Sequence, residues 1–240
     1  MYKNIAVIGA SGAIGNAFVK QLAFTQPKAT INAFTSRTPT QSSQENVKYS
    51  QVDYSDESSI AEAATLASQT GKLDFIVVTT GLLQNAHIKP EKSLRDLSSD
   101  KFQQIFMANT IVPALVAKHF LPRIERDRRA VFAAVSARAG SNADNVMGGW
   151  YAYRAAKAAL NMTLKNASIE IGRRYKHAVV VGLYPGTVDS DLSKPFQRGV
   201  PEGKLFTPEF SVEMMLGVVD DLTPEHSGKC FDWDGEEVDP

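Results

Sequence analysis

Residues 5–15 read Ile-Ala-Val-Ile-Gly-Ala-Ser-Gly-Ala-Ile-Gly. The unbroken apolar run predicts a buried strand, and the glycines that follow it predict a tight turn into a helix. Such a turn lets backbone N–H groups approach a pyrophosphate, and the helix N-terminus adds partial positive charge. The stretch therefore indicates a dinucleotide site with contacts from Gly9, Ser11, Gly12, Ala13, Ile14 and Gly15. A tight turn without a ligand is the alternative.

Six apolar runs of strand length recur along the chain, and a weaker seventh lies near the C-terminus; they span 5–8, 30–35, 47–52, 75–79, 130–135, 178–183 and 230–233. Helical patterns lie between them, at 14–24, 56–69, 99–126, 151–173 and 208–220. Pro113 and Pro122 predict a break or kink within 99–126. Alternating strands and helices favour right-handed crossovers between parallel strands. We therefore predict one α/β domain over residues 1–240, a doubly wound Rossmann fold whose mainly parallel, seven-stranded sheet has helices on both faces.

The composition narrows the range of partners. Lys and Arg together number 26 and so do Asp and Glu, and this balance argues against a nucleic-acid partner, which needs a basic excess. Cys230 is the single cysteine, so no intrachain disulfide can form, and a reducing, cytoplasmic location is predicted. The sequence has no signal peptide and no run of about 18 apolar residues, so no membrane contact is predicted. The histidines are scattered without metal-ligand spacing, so no metal is predicted.

The end of the second predicted strand distinguishes between two dinucleotides. A site for NAD(H) places an acidic residue there, which binds the ribose 2′-hydroxyl. This chain has Ser36 and Arg37 instead. A guanidinium suits a 2′-phosphate by charge and by fork geometry, so NADP(H) is the predicted cofactor. An exposed loop arginine without a ligand is the alternative.

Tyr153 and Lys157 are four residues apart at the start of a predicted helix, and therefore lie one turn apart on one face. A nearby ammonium lowers a tyrosine pKa toward neutrality, which a general acid or base requires. A tyrosine and a lysine on an exposed helix face would have the same spacing. The predicted dinucleotide turn near the N-terminus is the observation that favours a catalytic pair.

With both motifs in order, the chain resembles the short-chain dehydrogenase/reductase family over almost its whole length. The resemblance implies hydride transfer between a nicotinamide and a small-molecule carbonyl or alcohol substrate. It implies proton transfer by Tyr153, ribose binding by Lys157, a relay water held by Asn109, and a substrate-orienting serine at Ser136. It also implies further cofactor contacts at Asp53, Tyr54, Thr80, Gly81, Pro185, Gly186, Thr187, Val188 and Ser190.

Three departures from the family pattern stand out. The middle glycine of the phosphate turn is Ala13, and Thr79 and Thr80 replace two asparagines. An ungapped match places Ala137 in the catalytic serine position. Ser136 lies one residue earlier and would face the opposite side of a regular strand. Because the strand ends there, we assign the role to Ser136, with Ser141 as a distant substitute.

A narrower likeness leaves a second function open. Residues 141–145, 148–162, 192–196 and 203–208 are similar to the C-factor-like subgroup, which is named after a bacterial cell–cell signalling protein. A dinucleotide-binding regulatory or signalling protein with little turnover is therefore the alternative to an enzyme.

The substrate pocket is predicted at loops 81–94, 140–149 and 191–207. The stretch 190–207 is either a long substrate loop or an ordinary surface loop. The apolar lining of the pocket is predicted from Leu82, Leu83, Met147, Trp150, Phe196 and Phe206. Small residues on the helical segments 114–119 and 155–164 suit packing across a two-fold axis, and the resembling family forms homo-oligomers. We therefore predict a homodimer or homotetramer.

Overall fold

A computed structural model describes residues 2–39 and 42–240. The strands are β1 (Asn4–Ile8), β2 (Thr30–Thr35), β3 (Val47–Gln51), β4 (Phe75–Val78), β5 (Ala130–Val135), β6 (Ala178–Tyr184), β7 (Thr187–Val188), β8 (Leu205–Phe206) and β9 (Cys230–Asp232). The helices are α1 (Ala13–Thr25), α2 (Glu57–Ala67), α3 (Ser99–Phe106), α4 (Val112–Phe120), α5 (Tyr151–Gly172) and α6 (Pro208–Asp221). The predicted elements are present, with boundaries that differ by a few residues.

One parallel sheet holds seven strands in the order β3-β2-β1-β4-β5-β6-β9. Its order reverses direction beside β1, as a doubly wound sheet requires. The strands β1, β4, β5 and β6 are buried along their whole length. Helices α1 and α6 cover one face, and α2, α4 and α5 cover the other. The predicted fold class is therefore confirmed.

The predicted break in the segment 99–126 is also present, and its form is informative. A π-turn over Met107–Ile111 separates α3 from α4, and a short 3-10 turn follows α4. Pro113 has no N–H to offer the carbonyl of Asn109, so the regular hydrogen-bond ladder fails at that point. The π-turn thus arises where the sequence places Asn109 next to a proline.

The same segment bears on the prediction of no membrane contact. By length and composition, Ser99–Arg123 is long and apolar enough to cross a membrane, although it contains no unbroken run of about 18 apolar residues. Half of its apolar window is buried inside the protein. The core helix of a water-soluble domain has the same properties, and the absence of membrane contact stays a prediction.

The segment 190–207 has more local structure than its composition predicted. A 3-10 helix spans Lys194–Gly199, and β8 pairs in parallel with β7 in a separate two-stranded sheet. Gly186 precedes this pair with φ of +69°, and a Cβ there would lie 2.6 Å from the Phe206 ring. The close approach of Gly186 to Phe206 anchors the far end of the segment beside β6.

Candidate functional site

The glycine turn after β1 packs against the end of β4. Gly9 has φ of +87°, and a Cβ on it would lie 2.7 Å from Thr79 Oγ1. The Gly9 N–H donates to Phe34 O (3.0 Å) and to the Tyr54 hydroxyl (2.9 Å). Only glycine fits this left-handed position without strain. The turn is therefore held rigidly between β2 and β4 before α1 begins at Ala13.

A cavity of about 620 Å³ lies over this turn. It brings together eight of the predicted cofactor residues: Gly9, Ser11, Gly12, Ser36, Arg37, Tyr54, Thr80 and Gly81. Asp53 is not among the residues lining it. The Asp53 carboxylate instead accepts hydrogen bonds from the Ser55 hydroxyl (2.6 Å) and N–H (2.8 Å), which lower the pKa of that carboxyl. Its neighbours Tyr54 and Ser55 face the cavity.

Thr79 and Thr80, which replace two asparagines of the family pattern, have different surroundings. Thr79 Oγ1 donates to Ile8 O (2.8 Å) and so ties β4 to the glycine turn. Thr80 Oγ1 is buried and has no hydrogen-bond partner within the described part of the chain. Buried hydroxyls are normally satisfied, so an unpaired one that lines a cavity indicates a contact for a bound molecule.

A second cavity, of about 750 Å³, continues from the first over the ends of β4, β5 and β6. Thr79, Thr80 and Gly81 line both cavities. The remaining predicted residues that line the second one are Ile14, Ser136, Tyr153, Lys157, Pro185, Gly186, Thr187, Val188 and Ser190. Most of the predicted cofactor and catalytic residues are thus brought to one edge of the sheet, as the topology requires. The predicted residues that line neither cavity are Ala13, Gly15, Asp53 and Asn109.

Tyr153 and Lys157 are both buried on α5, with Lys157 Nζ at 5.8 Å from the centre of the Tyr153 ring. Lys157 Nζ donates to Val135 O (2.9 Å). Burial raises the pKa of the Tyr153 hydroxyl to about 12 and lowers the pKa of the Lys157 ammonium to about 7. Contrary to the sequence prediction, the pKa of Tyr153 is therefore not lowered toward neutrality. Desolvation disfavours the charged form of each group.

Asn109 is fully buried in the π-turn. Its Nδ2 donates to Leu82 O (2.7 Å) and Ile105 O (2.8 Å), and its Oδ1 accepts from the Leu82 N–H (3.3 Å). A Cβ on Gly81 would lie 3.2 Å from Asn109 Oδ1 and 3.8 Å from Lys157 Nζ. The Asn109 side chain thus holds the loop after β4 close to Lys157, while its role toward a relay water stays a prediction.

Ser136 and Ala137 face different neighbours. Ser136 Oγ donates to Asn161 Oδ1 (2.7 Å), and Asn161 Nδ2 donates to the Tyr184 hydroxyl (2.9 Å). Ala137 packs against the cluster that contains Tyr153. The Ser136 hydroxyl is therefore engaged in a buried network, and its predicted role toward a substrate stays a prediction. Asn161 was missed, although it lies one turn beyond Lys157 on the same face of α5.

The predicted apolar lining is correct in part. Leu83, Met147, Trp150 and Phe196 line the second cavity. Leu82 lines the first cavity instead, and Phe206 packs beneath Gly186 and beside Trp233. The Trp150 ring lies 4.9 Å from Phe196 and 6.3 Å from Tyr153, centre to centre. The Trp150 and Phe196 rings together form an aromatic wall next to the Tyr153 ring.

Arg138, at the cavity edge, is a residue that sequence reasoning missed. Its guanidinium donates to Asp232 (2.7 Å), Glu236 (2.6 Å) and Asp144 (3.1 Å), and these bonds raise its pKa. The carboxylates of Asp232, Asp234 and Glu236 lie within 4.8 Å of one another. Because Asp232 and Glu236 already accept hydrogen bonds from Arg138, we interpret the network as ion pairs that join the C-terminal segment to the loop after β5.

The family model for short chain dehydrogenases matches residues 3–200. The chain therefore belongs to the short-chain dehydrogenase family. It is 39% identical over 146 residues to C-signal of Myxococcus xanthus, a match that covers 61% of this chain and 82% of that protein. It is 31% identical over 181 residues to 1-hydroxy-2-glutathionyl-2-methyl-3-butene dehydrogenase of Rhodococcus sp. (strain AD45), covering 75% and 74%.

Among solved structures, the fold matches the NADPH-bound carbonyl reductase from chicken fatty liver with a TM-score of 0.82. The match covers 99% of both chains at 24% sequence identity. A likeness at this level of identity shows the shared fold, and the residues of the site have to carry any argument about chemistry.

Proposed function

We propose that the chain is an NADP(H)-dependent oxidoreductase that transfers a hydride between the nicotinamide and a carbonyl or alcohol carbon, with Tyr153 as general acid and base. The observation that carries the proposal is the buried Tyr153–Lys157 pair, which lines the second cavity. Gly81 lines both cavities, and a Cβ on it would lie 3.8 Å from Lys157 Nζ. A titratable pair with pKa values displaced by burial, in a cleft beside a dinucleotide turn, is typical of an active site.

The residues present fit a dinucleotide. The rigid turn Gly9–Gly12 suits a pyrophosphate, Arg37 suits the 2′-phosphate, and the unpaired Thr80 hydroxyl offers a further contact. Residues 185–188 and Ser190 line the second cavity, where they would hold the nicotinamide end. When bound, the cofactor supplies or accepts the hydride.

The side chains of the protein perform the proton chemistry. At neutral pH the Tyr153 hydroxyl keeps its proton, because burial raises its pKa to about 12. In reduction it donates that proton to the carbonyl oxygen as negative charge develops there. Lys157 Nζ, held by the Val135 carbonyl, lies on the same helix face. Trp150 and Phe196 line the cavity that holds Tyr153, where their rings would shield a bound substrate from water.

Arg37 provides the test of cofactor preference. Replacing Arg37 by alanine removes the exposed guanidinium from the first cavity. We expect the Kd for NADPH to rise by about 10- to 100-fold, because a charge-assisted bond to a phosphate is lost. The Kd for NADH should change by less than about threefold, since NADH has no 2′-phosphate. Fluorescence titration of both cofactors measures this, and equal losses for both would contradict the assignment.

The proposal as a whole is tested by titrating the purified protein with NADPH and NADH. A panel of aldehydes, ketones and diones is then screened for oxidation of the cofactor that binds more tightly. We expect tight NADPH binding and turnover of at least one carbonyl. If neither dinucleotide binds, the proposal is wrong.

A dinucleotide-binding signalling protein with little turnover is the second candidate. Ala137 favours it, because position 137 faces the Tyr153 cluster without a hydroxyl while Ser136 is engaged with Asn161. The similarity to C-signal is consistent with it. Under this candidate the protein binds NADPH but turns over none of the carbonyls.

Ala137→Ser distinguishes the two candidates. A hydroxyl at position 137 would add a second hydrogen-bond donor beside Tyr153, and we expect kcat for the best carbonyl to rise by about 10- to 100-fold. Ala139→Ser, which adds the same hydroxyl two residues further along the cavity wall, is the matched control. A gain confined to Ala137→Ser supports a hydride-transferring site that lacks one donor. Absence of turnover in both variants would favour the signalling candidate.

The oligomeric state and the cytoplasmic location stay predictions. Light scattering with size-exclusion chromatography would measure the first, and cell fractionation the second. We propose a homodimer or homotetramer in the cytoplasm.

A further inference from the structure

Trp150 adopts a strained backbone conformation immediately before the helix that carries Tyr153. Its φ of 49° and ψ of 41° lie in the left-handed region, and among the described residues no other non-glycine has a positive φ. Gly148 and Gly149 precede it with φ of 64° and 65°. A bulky aromatic residue rarely adopts this conformation, so the surrounding structure has to hold Trp150 in it.

Glu91, in the loop after β4, makes the contacts that hold Trp150. Its carbonyl accepts from the Trp150 N–H at 2.6 Å, and its Oε2 accepts from the Ala152 N–H at 3.3 Å. The Glu91 carbonyl also lies against Gly149, where a Cβ would come within 3.3 Å of it. Glu91 is 3% exposed although it is a glutamate. A residue about sixty positions away in the sequence thus contacts three positions around the start of α5, namely Gly149, Trp150 and Ala152.

The chemistry explains why a carboxylate is buried there. The first N–H groups of a helix have no partner within the helix, and a side-chain oxygen at the N-cap normally accepts one of them. The N-cap of α5 is Trp150, which has no acceptor to offer and makes no side-chain cap. The Glu91 carboxylate takes over this function from outside the helix, at the end where the helix dipole favours negative charge.

The left-handed backbone conformation of Trp150 places its ring in the second cavity. The ring is half-buried between Phe196, at 4.9 Å, and Tyr153, at 6.3 Å. A change of Trp150 to an ordinary backbone conformation would turn its side chain away from Phe196. The position of the aromatic wall therefore depends on the hydrogen bonds that Glu91 accepts from the Trp150 and Ala152 N–H groups.

We propose that Glu91 is a positioning residue that caps the Tyr153 helix from outside, and by holding Trp150 in its left-handed conformation selects carbonyl substrates with a flat aromatic group. The selection of substrates rests on the proposed function, whereas the cap and the position of Trp150 do not. The two parts therefore need separate measurements.

The position of Trp150 is measured by fluorescence without any substrate. The chain has two tryptophans, so Trp233→Phe leaves Trp150 as the single indole emitter. In this background we compare Glu91→Ala, Glu91→Gln and the unaltered glutamate. Glu91→Ala keeps the main-chain carbonyl that accepts from Trp150, but removes the carboxylate bond to the Ala152 N–H that fixes the loop presenting this carbonyl. The variant should therefore shift the emission maximum to longer wavelength and raise the quenching constant for acrylamide by about twofold or more, because the ring leaves Phe196 for solvent. Glu91→Gln keeps an acceptor oxygen of the same reach, so its shift should be smaller.

Substrate selection is measured by a ratio that a general loss of stability does not change. For the best aryl ketone and the best short aliphatic aldehyde of the carbonyl panel, we compare kcat/KM in each variant. Glu91→Ala should lower the aryl-to-aliphatic ratio by about tenfold, mainly through KM for the aryl ketone, while the Kd for NADPH changes by less than about threefold. Glu213→Gln, which removes a negative charge from the exposed side of α6, should leave emission and ratio unchanged.

Each outcome decides one part. Unchanged Trp150 emission in a folded Glu91→Ala protein overturns the positioning role. A shifted emission with equal losses for both substrates overturns the selection and leaves the cap in place. If Glu91→Ala does not fold, Glu91→Met decides, because methionine fills similar space without an acceptor oxygen: an emission shift supports the proposal, and emission identical to the parent overturns it. If the parent turns over no carbonyl, the proposed function fails, and the fluorescence result still decides the cap.

Discussion

Replacing Tyr153 by phenylalanine should lower kcat for carbonyl reduction by about 10³-fold, while the Kd for NADPH changes by less than about threefold. The hydroxyl is buried beside Lys157, and burial raises its pKa to about 12, so it holds a proton throughout the physiological pH range. Phenylalanine keeps the ring, which packs with Leu83, Ile105 and Trp150, and removes the proton donor alone. The loss should therefore appear in the chemical step rather than in binding.

Tyr151→Phe is the matched control for Tyr153→Phe. It removes the same hydroxyl from the same helix two residues earlier, and Tyr151 is not among the residues lining either cavity. We expect kcat to stay within about twofold of the parent, since a partly exposed hydroxyl outside the site contributes little to the barrier. Steady-state kinetics with the best carbonyl measures both variants. Equal losses in the two, or full activity in Tyr153→Phe, would show that another group donates the proton.

Replacing Lys157 by methionine should stabilise the protein while abolishing its turnover. The Lys157 side chain is 2% exposed, and burial lowers its pKa from the ordinary 10.5 to about 7. At about 1.4 kcal/mol per pH unit, this difference corresponds to roughly 5 kcal/mol of destabilisation at low and neutral pH. Methionine fills similar space without a charge, and loses the bond to Val135 O, which costs about 1 kcal/mol. We expect a net gain of roughly 4 kcal/mol at pH 7.

The free energy of unfolding should depend on pH differently in the parent and in Lys157→Met. Between about pH 7 and pH 10 the unfolded chain keeps a proton on Lys157 that the folded chain has lost. Stability rises with pH wherever the unfolded state binds more protons, so the parent should become more stable across this window. Below about pH 7 both states are protonated and the penalty is constant. In Lys157→Met this rise should be absent.

Denaturant titrations of parent and variant at several pH values measure the difference. Other tyrosines and Cys230 also titrate in alkali, and subtracting the two curves removes their contribution, because both proteins share them. Lys165→Met, an exposed lysine on the same helix, is the matched control and should leave the pH dependence as in the parent. A variant less stable than the parent, with an unchanged slope, would show that Lys157 is not destabilised by burial.

The destabilisation caused by burying the Lys157 ammonium is consistent with a ligand-binding site. A buried ammonium beside a tyrosine serves no packing purpose, and functional sites commonly carry such costs. The unpaired Thr80 hydroxyl and the strained Trp150 backbone lie around the same cavities. These three features are each unfavourable in isolation, and they coincide at the edge of the sheet where the parallel strands end.

Much of the site was predictable because its determinants are local. The glycine turn, Arg37 and the Tyr153–Lys157 spacing each depend on residues within a few positions of one another. Pro113 likewise marked the break that became the π-turn at Asn109, since a missing N–H acts on the adjacent turn of helix. Residues placed at the ends of parallel strands then meet automatically, because the topology brings those ends to one edge.

The sequence by itself determined the doubly wound sheet and the set of residues at its edge, because apolar periodicity and turn chemistry act over short distances. The tertiary structure alone decided that Ala137 packs against the cluster containing Tyr153 and that the Ser136 hydroxyl donates to Asn161. It also decided that burial, rather than the charge of Lys157, governs the pKa of Tyr153. The cap of α5 by Glu91 and the ion pairs of Arg138 belong to this group as well. All of these depend on neighbours distant in the chain, whose proximity and dielectric surroundings exist only once the chain has folded.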